Sequence, residues 1–133
     1  MSPDRQATRG GPSGTGGIAL KQGLPDRLEQ DAAVIAAAVV GRMEAAHPSL
    51  FLRYGSEGKR RCTEDTIYHV LHLAAALEVH DPGEFCRYRA WLAELLIPRG
   101  IPQEHIDLNL RVLSEELRTK YGAAAEEACA FLD

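Results

Sequence analysis

The chain has 133 residues, of which 45% are hydrophobic and 26% are charged, and these proportions are typical of a soluble domain with one hydrophobic core. Its formal net charge of -4 provides no general attraction for nucleic acid or for an anionic membrane, so neither is expected as a partner. No apolar run approaches the roughly 20 residues of a membrane span, and the first residues lack the apolar stretch of a secretion signal. We therefore expect a cytoplasmic protein.

The first 17 residues are rich in Gly, Ser, Pro and Thr, and this composition predicts a disordered N-terminal tail over residues 1–17. The folded domain is then expected over residues 18–133. Helical periodicity predicts a first helix over residues 25–46 and a short helical segment from Pro48 to a stop at Gly55. A long second helix is predicted to begin between Ser56 and Lys59 and to continue to Val79.

Two further helices follow in the prediction. A third helix is expected over residues 82–97, because Asp81 and Glu84 have the spacing of a capping box and Pro82 suits a first turn. A fourth is expected from Pro102 to Gly122, followed by a short last helix. These elements predict an all-α domain, arranged either as an antiparallel bundle or as a globin-like fold. The corner at Pro48 and the unequal helix lengths favour the globin-like arrangement.

The three cysteines, Cys62, Cys86 and Cys129, include no Cys-x-x-Cys pair. An odd number without such a pair argues against a disulfide scaffold and against a Cys-rich zinc site. We therefore expect free thiols, and Cys62 is the one with distinctive neighbours. The preceding Arg60 and Arg61 and the nearby helix start are predicted to lower the pKa of its thiol and to make it reactive.

The second long helix carries a line of polar side chains. Each residue advances by about 100°, which places Ile67, Val70, Leu71, Ala74 and Leu77 on one side as the predicted core stripe. The opposite side carries polar residues at spacings of three, four and three, and it is predicted to face solvent, a partner or a second pocket. Its members are Cys62, Asp65, His69 and His72, with Ala76 beyond them.

Different kinds of chemistry could use this line. One metal ion cannot reach four ligands spread over about 15 Å of helix, so no metal site is predicted. Cys62 and His69 would lie about 10 Å apart, too far for a direct hydrogen bond, so no catalytic pair is predicted. An elongated cofactor lying along the helix suits the line of residues. An ordinary polar helix surface without function suits it as well.

The segment "RCTEDTIYHVLHL" resembles the bilin-attachment helix of phycobiliproteins, where a cysteine carries the thioether-linked bilin and an aspartate three residues later binds its pyrrole nitrogens. Cys62 and Asp65 match these two positions. "EVHDPGEF" and "GIPQEHIDLNLRVLSEEL" resemble turns further along in that family. Glu64 departs from the usual Arg or Lys that pairs with bilin propionates. The chain is more similar to the shorter bilin-biosynthesis-associated globins, and the likeness covers about residues 25–125.

The resemblance implies a non-haem globin-like fold of the phycobilisome type, a homodimer and a link to linear tetrapyrroles. Cys62 would be the attachment or contact thiol, and Asp65 would be the pyrrole partner. The other predicted contacts are the flanking histidines His69 and His72 and the propionate partners Arg60 and Arg61. Haem ranks below bilin as a cofactor, because no histidine lies in a pattern specific to haem ligation.

The sequence therefore predicts a non-enzymatic, globin-like protein that binds or handles a bilin through the helix carrying Cys62 and Asp65. The alternative is a ligand-free dimeric interaction or regulatory module of the same fold. An enzyme ranks third, because no group of acid, base and nucleophile comes together at the predicted spacings.

Overall fold

The computed structural model describes residues 23–133, and the tail predicted over residues 1–17 lies outside this range. Within the described residues the chain forms α-helices and short 3-10 turns without any β-strand, so the all-α prediction is confirmed. The helices are α1 (Leu24–Ala46), α2 (Pro48–Glu78), α3 (Pro82–Leu96), α4 (Gln103–Tyr121) and α5 (Glu126–Leu132). The 3-10 turns Ile97–Arg99 and Gly122–Ala125 follow α3 and α4. None of these helices combines the length and the apolar content needed to cross a membrane.

The helices begin and end at residues whose backbone preferences suit those positions. Pro25 lies in the first turn of α1, and Pro48 opens α2 directly after the corner at His47. Proline is well accommodated there because first-turn amides have no partner within the helix. Asp81 caps α3 by accepting a 2.9 Å hydrogen bond from the backbone N–H of Gly83. Gly122, at a φ of 61°, ends α4.

Gly55 interrupts α2 with φ 76° and ψ -178°. A side chain there would meet nothing within 4 Å, so the backbone conformation, and not a lack of space, is what favours glycine. The predicted helix stop at Gly55 is therefore a kink between two segments that follow each other directly. The first segment, residues 48–54, is free to take a direction different from that of the body of α2.

The hydrophobic core lies mainly between α1 and α2, with α4 packed across α1 and α5 closing against α4. Burying one large apolar side chain contributes about 1.5–3 kcal/mol, so this interface is the main source of stability. The fully buried large apolar side chains are Leu28, Ile35, Val39, Val40, Val70, Leu73, Phe85, Leu110, Leu113 and Leu117.

The buried side of α2 is broader than the predicted stripe and is rotated away from it. Val70 and Ala74 are buried as predicted, but Leu71 is 37% exposed. His69 and Ala76, which the prediction placed on the opposite, polar side, are buried. The reason is that α2 packs not only against α1 but also against α3, α4 and α5. The line of polar side chains is therefore partly covered by protein.

Candidate functional site

A cavity of about 540 Å³ opens between the N-terminal half of α2, the end of α3 and the beginning of α4. This volume falls within the range of about 300–1,000 Å³ that is typical of small-molecule sites. The apolar part of its wall consists of Leu50, Phe51, Leu95, Leu96, Ile101 and Ile106. Leu50 and Phe51 belong to the segment before the Gly55 kink, so the kink directs part of α2 towards this cavity.

The body of α2 supplies a polar strip to the same cavity. Cys62, Asp65 and His69 all line it, together with Arg60 and Arg61. Five of the six residues predicted to contact a ligand are thus brought together around one space. The strip runs along the helix axis, so its side chains form a row and not a single point.

His72, the sixth of these residues, does not line the cavity. Its ring stacks on that of Tyr88, with centroids 4.0 Å apart and an angle of 15° between the planes. Since His72 remains exposed, its position is on the outer surface between α2 and α3. The turn from His69 to His72 is the point where the polar strip leaves the cavity.

The thiol of Cys62 is not activated. Burial raises its pKa to about 11, and the negative charge of Asp65 adds to the rise, while a hydrogen bond with Thr66 opposes it. The prediction that neighbouring arginines lower this pKa is therefore wrong. At neutral pH Cys62 presents a protonated sulfur to the cavity and is a poor nucleophile.

The two arginines beside Cys62 are occupied by acidic side chains. Arg60 forms ion pairs with both Glu57 and Glu64, and Nε of Arg61 lies 3.1 Å from Oε2 of Glu57. Hydrogen bonds from Arg60 and Arg61 hold the pKa of Glu57 at about 2, so the carboxylate is charged at any physiological pH. Glu64, the departure from the phycobiliprotein pattern, thus helps to neutralise Arg60.

Asp65 is a half-buried carboxylate with no hydrogen-bond partner among the described side chains. Burial raises its pKa, and the charge of Glu64 raises it further, whereas Arg61 and Arg99 lower it from a distance. A carboxylate in this position has lost part of its hydration without gaining a direct partner among residues 23–133. It is therefore well suited to accept hydrogen bonds from N–H groups of a ligand.

His69 is a neutral imidazole inside the protein. Its Nδ1 forms a 2.7 Å hydrogen bond with the hydroxyl of Tyr88, and only 2% of the residue is exposed. Burial lowers its pKa to about 4, with smaller contributions from the charges of His72 and Arg89, while the Asn109 side chain partly offsets them. A neutral imidazole has one N–H and one lone pair, and Tyr88 uses one of the two.

Five further polar residues line the cavity that were not predicted from the sequence: Tyr54, Glu57, Arg99, His105 and Asn109. The hydroxyl of Tyr54 lies 2.8 Å from Nδ1 of His105 and joins the segment before the kink to α4. Nδ2 of Asn109 donates to the hydroxyl of Thr66 over 3.1 Å and lies 3.9 Å from Sγ of Cys62. Only Asn109 carried a signal in the sequence, since it is an amide on the apolar stripe of α4.

The cavity presents several groups that are suited to binding a ligand. Among residues 23–133, no three His, Cys, Asp or Glu side chains come close enough together to hold a metal ion. The cavity offers apolar side chains, a half-buried carboxylate, a neutral imidazole and a protonated thiol. These groups can bind a largely apolar molecule that carries N–H donors.

Comparison with known proteins adds no relative. No protein-family model, no curated protein and no solved structure matches the chain.

Proposed function

We propose that this protein is a non-enzymatic binding protein for a linear tetrapyrrole and that the pigment occupies the cavity beside α2. The observation that carries the proposal is the position of Cys62, Asp65 and His69 in a row on α2 along one cavity, whose remaining lining includes six large apolar side chains. A bilin is a long conjugated molecule with a row of pyrrole nitrogens, so it would need a row of contacts and not a single point.

The side chains that line the cavity would have distinct parts in binding. Asp65 would accept hydrogen bonds from pyrrole N–H groups, which would satisfy a carboxylate that has no hydrogen-bond partner among the described side chains. His69, held in place by Tyr88, would present its neutral imidazole as one further polar contact. Leu50 and Phe51 would cover the conjugated rings from the other side.

Binding in this cavity would be mainly non-covalent. Thioether formation starts from the thiolate, and the raised pKa of Cys62 leaves very little of this species at neutral pH. Cys62 would therefore act as a packing contact, and any attachment would be slow unless the ligand or a partner lowered its pKa.

The proposal includes a globin-like arrangement of the helices and a cytoplasmic location. The sharp corner at His47 and the kink at Gly55 give the unequal, angled segments that such a fold requires. Cys62, Cys86 and Cys129 are all unpaired in the described chain, which suits a reducing compartment.

Absorption spectroscopy tests the proposal. Purified protein is titrated with biliverdin, phycocyanobilin and haem, and the wild type is compared with Asp65→Asn and with Asp107→Asn, a control on the exposed face of α4. Support would be a sharpened, red-shifted bilin band that weakens in Asp65→Asn and is unchanged in Asp107→Asn. Spectra equal to the sum of free pigment and protein for both bilins would overturn it.

A second candidate, a ligand-free dimeric interaction module, is favoured by one observation. The outer surface of α2 and α3 exposes large apolar side chains, with Tyr68 57%, Trp91 54% and Leu71 37% exposed. Tyr88 links His72 and Trp91 into an aromatic row on this surface, its ring lying 4.0 Å and 6.0 Å from theirs. Such surfaces are typical of protein interfaces.

Sedimentation measurements address this second candidate. A dimer that dissociates in Trp91→Glu but persists in Leu52→Glu would support an interface at this surface, since Leu52 is 84% exposed elsewhere on α2. A monomeric wild type at high concentration would contradict self-association.

A further inference from the structure

We infer that Arg99 is the residue that binds the carboxylate groups of the ligand, and that it fixes the ligand with these groups at the opening of the cavity. This inference rests on the proposed binding function and assigns a role to a residue outside the α2 row. Arg99 thereby replaces Arg60 and Arg61 as the expected partner of the ligand's carboxylates.

Arg99 differs from Arg60 and Arg61 in that no acidic side chain of residues 23–133 pairs with it. Arg60 and Arg61 share Glu57, and Arg60 also holds Glu64, so the two cations and two anions of this group neutralise one another. Arg99 lines the same cavity and forms no ion pair or side-chain hydrogen bond with any residue in the range 23–133. An incoming carboxylate would meet a free guanidinium at Arg99 but would have to displace Glu57 or Glu64 at the other two.

The backbone that carries Arg99 is held in place by hydrogen bonds. It is the last residue of the turn Ile97–Arg99, which is closed by hydrogen bonds from the N–H of Gly100 to the carbonyl of Ile97 (3.0 Å) and from the N–H of Ile101 to that of Leu96 (3.2 Å). Gly100, at φ 95°, allows the chain to reverse here. Since the backbone is fixed, less conformational entropy is lost when the side chain binds an anion.

Arg99 also lies on the solvent side of the cavity. It is exposed, whereas Met43, His69 and Asn109 in the same lining are buried, so Arg99 lies at the opening. Carboxylates are costly to bury, and the opening is where they keep their hydration. The apolar body of the ligand then extends inwards past Asp65.

The two charged groups therefore select for a particular class of ligand. Asp65 favours N–H donors and Arg99 favours carboxylates, and they belong to different elements of one cavity. A molecule that has both kinds of group, separated by a conjugated apolar body, satisfies both. A bilin with free propionates belongs to this class, and its ester does not.

The test is a comparison of biliverdin with biliverdin dimethyl ester by absorption titration. We expect Arg99→Gln to weaken binding of the acid about ten-fold and to leave binding of the ester unchanged, because only the acid forms the charge-assisted hydrogen bond. Arg99→Lys should recover part of the loss. Arg111→Gln, which removes the same charge from an exposed position on α4 outside the cavity, should bind both pigments like the wild type.

The outcomes separate this inference from the proposed function. If the wild type binds the acid and Arg99→Gln binds it equally well, or if acid and ester weaken together, the role of Arg99 is overturned while the bilin site stands. A larger loss in Arg60→Gln than in Arg99→Gln would also overturn it. If the wild type binds neither pigment, the proposed function fails and the role of Arg99 fails with it.

Discussion

The hydroxyl of Tyr88 lies 2.7 Å from Nδ1 of His69, and this pair joins α3 to the buried side of α2. Tyr88→Phe removes the hydroxyl and leaves a buried ring nitrogen without its partner. We expect a loss of about 1–3 kcal/mol in the free energy of unfolding, the usual cost of an unsatisfied buried polar group. Urea unfolding followed by circular dichroism measures it.

Tyr68→Phe is the matched control for this substitution. Tyr68 is 57% exposed, so losing its hydroxyl should change the free energy of unfolding by less than about 0.5 kcal/mol. Equal losses in the two variants would show that the buried hydrogen bond does not stabilise the fold.

Stability should fall as the pH drops from about 6.5 towards 4, because of His69. Its pKa is lowered from 6.5 to about 4 in the folded state, so the unfolded chain binds the proton first within this window. The stabilisation is fully present above pH 6.5 and is lost as the pH falls to the folded pKa. Fully developed, the loss is about 3 kcal/mol.

The measurement is urea unfolding at pH 7, 6, 5 and 4. His69→Leu should lose this part of the pH dependence, whereas His47→Gln, at an exposed position, should keep it. The same slope in His69→Leu and the wild type would contradict a buried neutral imidazole.

Cys62 should react slowly with iodoacetamide. At pH 7.5 we expect the exposed Cys86 to be modified first, since the Cys62 thiol is partly buried and its pKa is about 11. Peptide mass spectrometry resolves the two sites. In urea the rates should become similar, and a titration midpoint for Cys62 below 9.0, the ordinary thiol value, would contradict the buried environment.

Gly55→Ala should destabilise the fold by about 1–2 kcal/mol, because alanine adopts the left-handed φ of 76° only with strain. Gly41→Ala, at an ordinary helical position of α1 with open space around it, should instead stabilise by up to about 1 kcal/mol. Thermal unfolding of the two variants gives the comparison. Opposite shifts are expected, and equal shifts would contradict a backbone requirement at Gly55.

Helix periodicity was sufficient to predict that Cys62, Asp65 and His69 lie on one side of α2, because local geometry alone fixes that relationship. It could not show which neighbours cover that side. The contacts of Asn109 with Cys62 and of Tyr54 with His105 join residues 47 and 51 positions apart, and only tertiary packing brings them together.

The error at Cys62 has the same origin. Basic residues adjacent in sequence predicted a low thiol pKa, but burial against α4 has the opposite effect and is larger. Likewise, the sequence contains Arg60, Arg61 and Arg99 with equal formal charge. Only the structure shows that the first two are already paired and that the third is not paired within the described chain.

Asp65 and Arg99 lie on different elements of one cavity and together produce an electric field across it. The negative charge is on α2 and the positive charge is at the turn after α3. Any conjugated molecule held there is polarised along this direction, so the energy of its light absorption depends on both charges. The colour of a bound pigment would then report the state of each side chain without any added label. Neutralising either Asp65 or Arg99 would weaken the same field, so both changes would shift the band in the same direction.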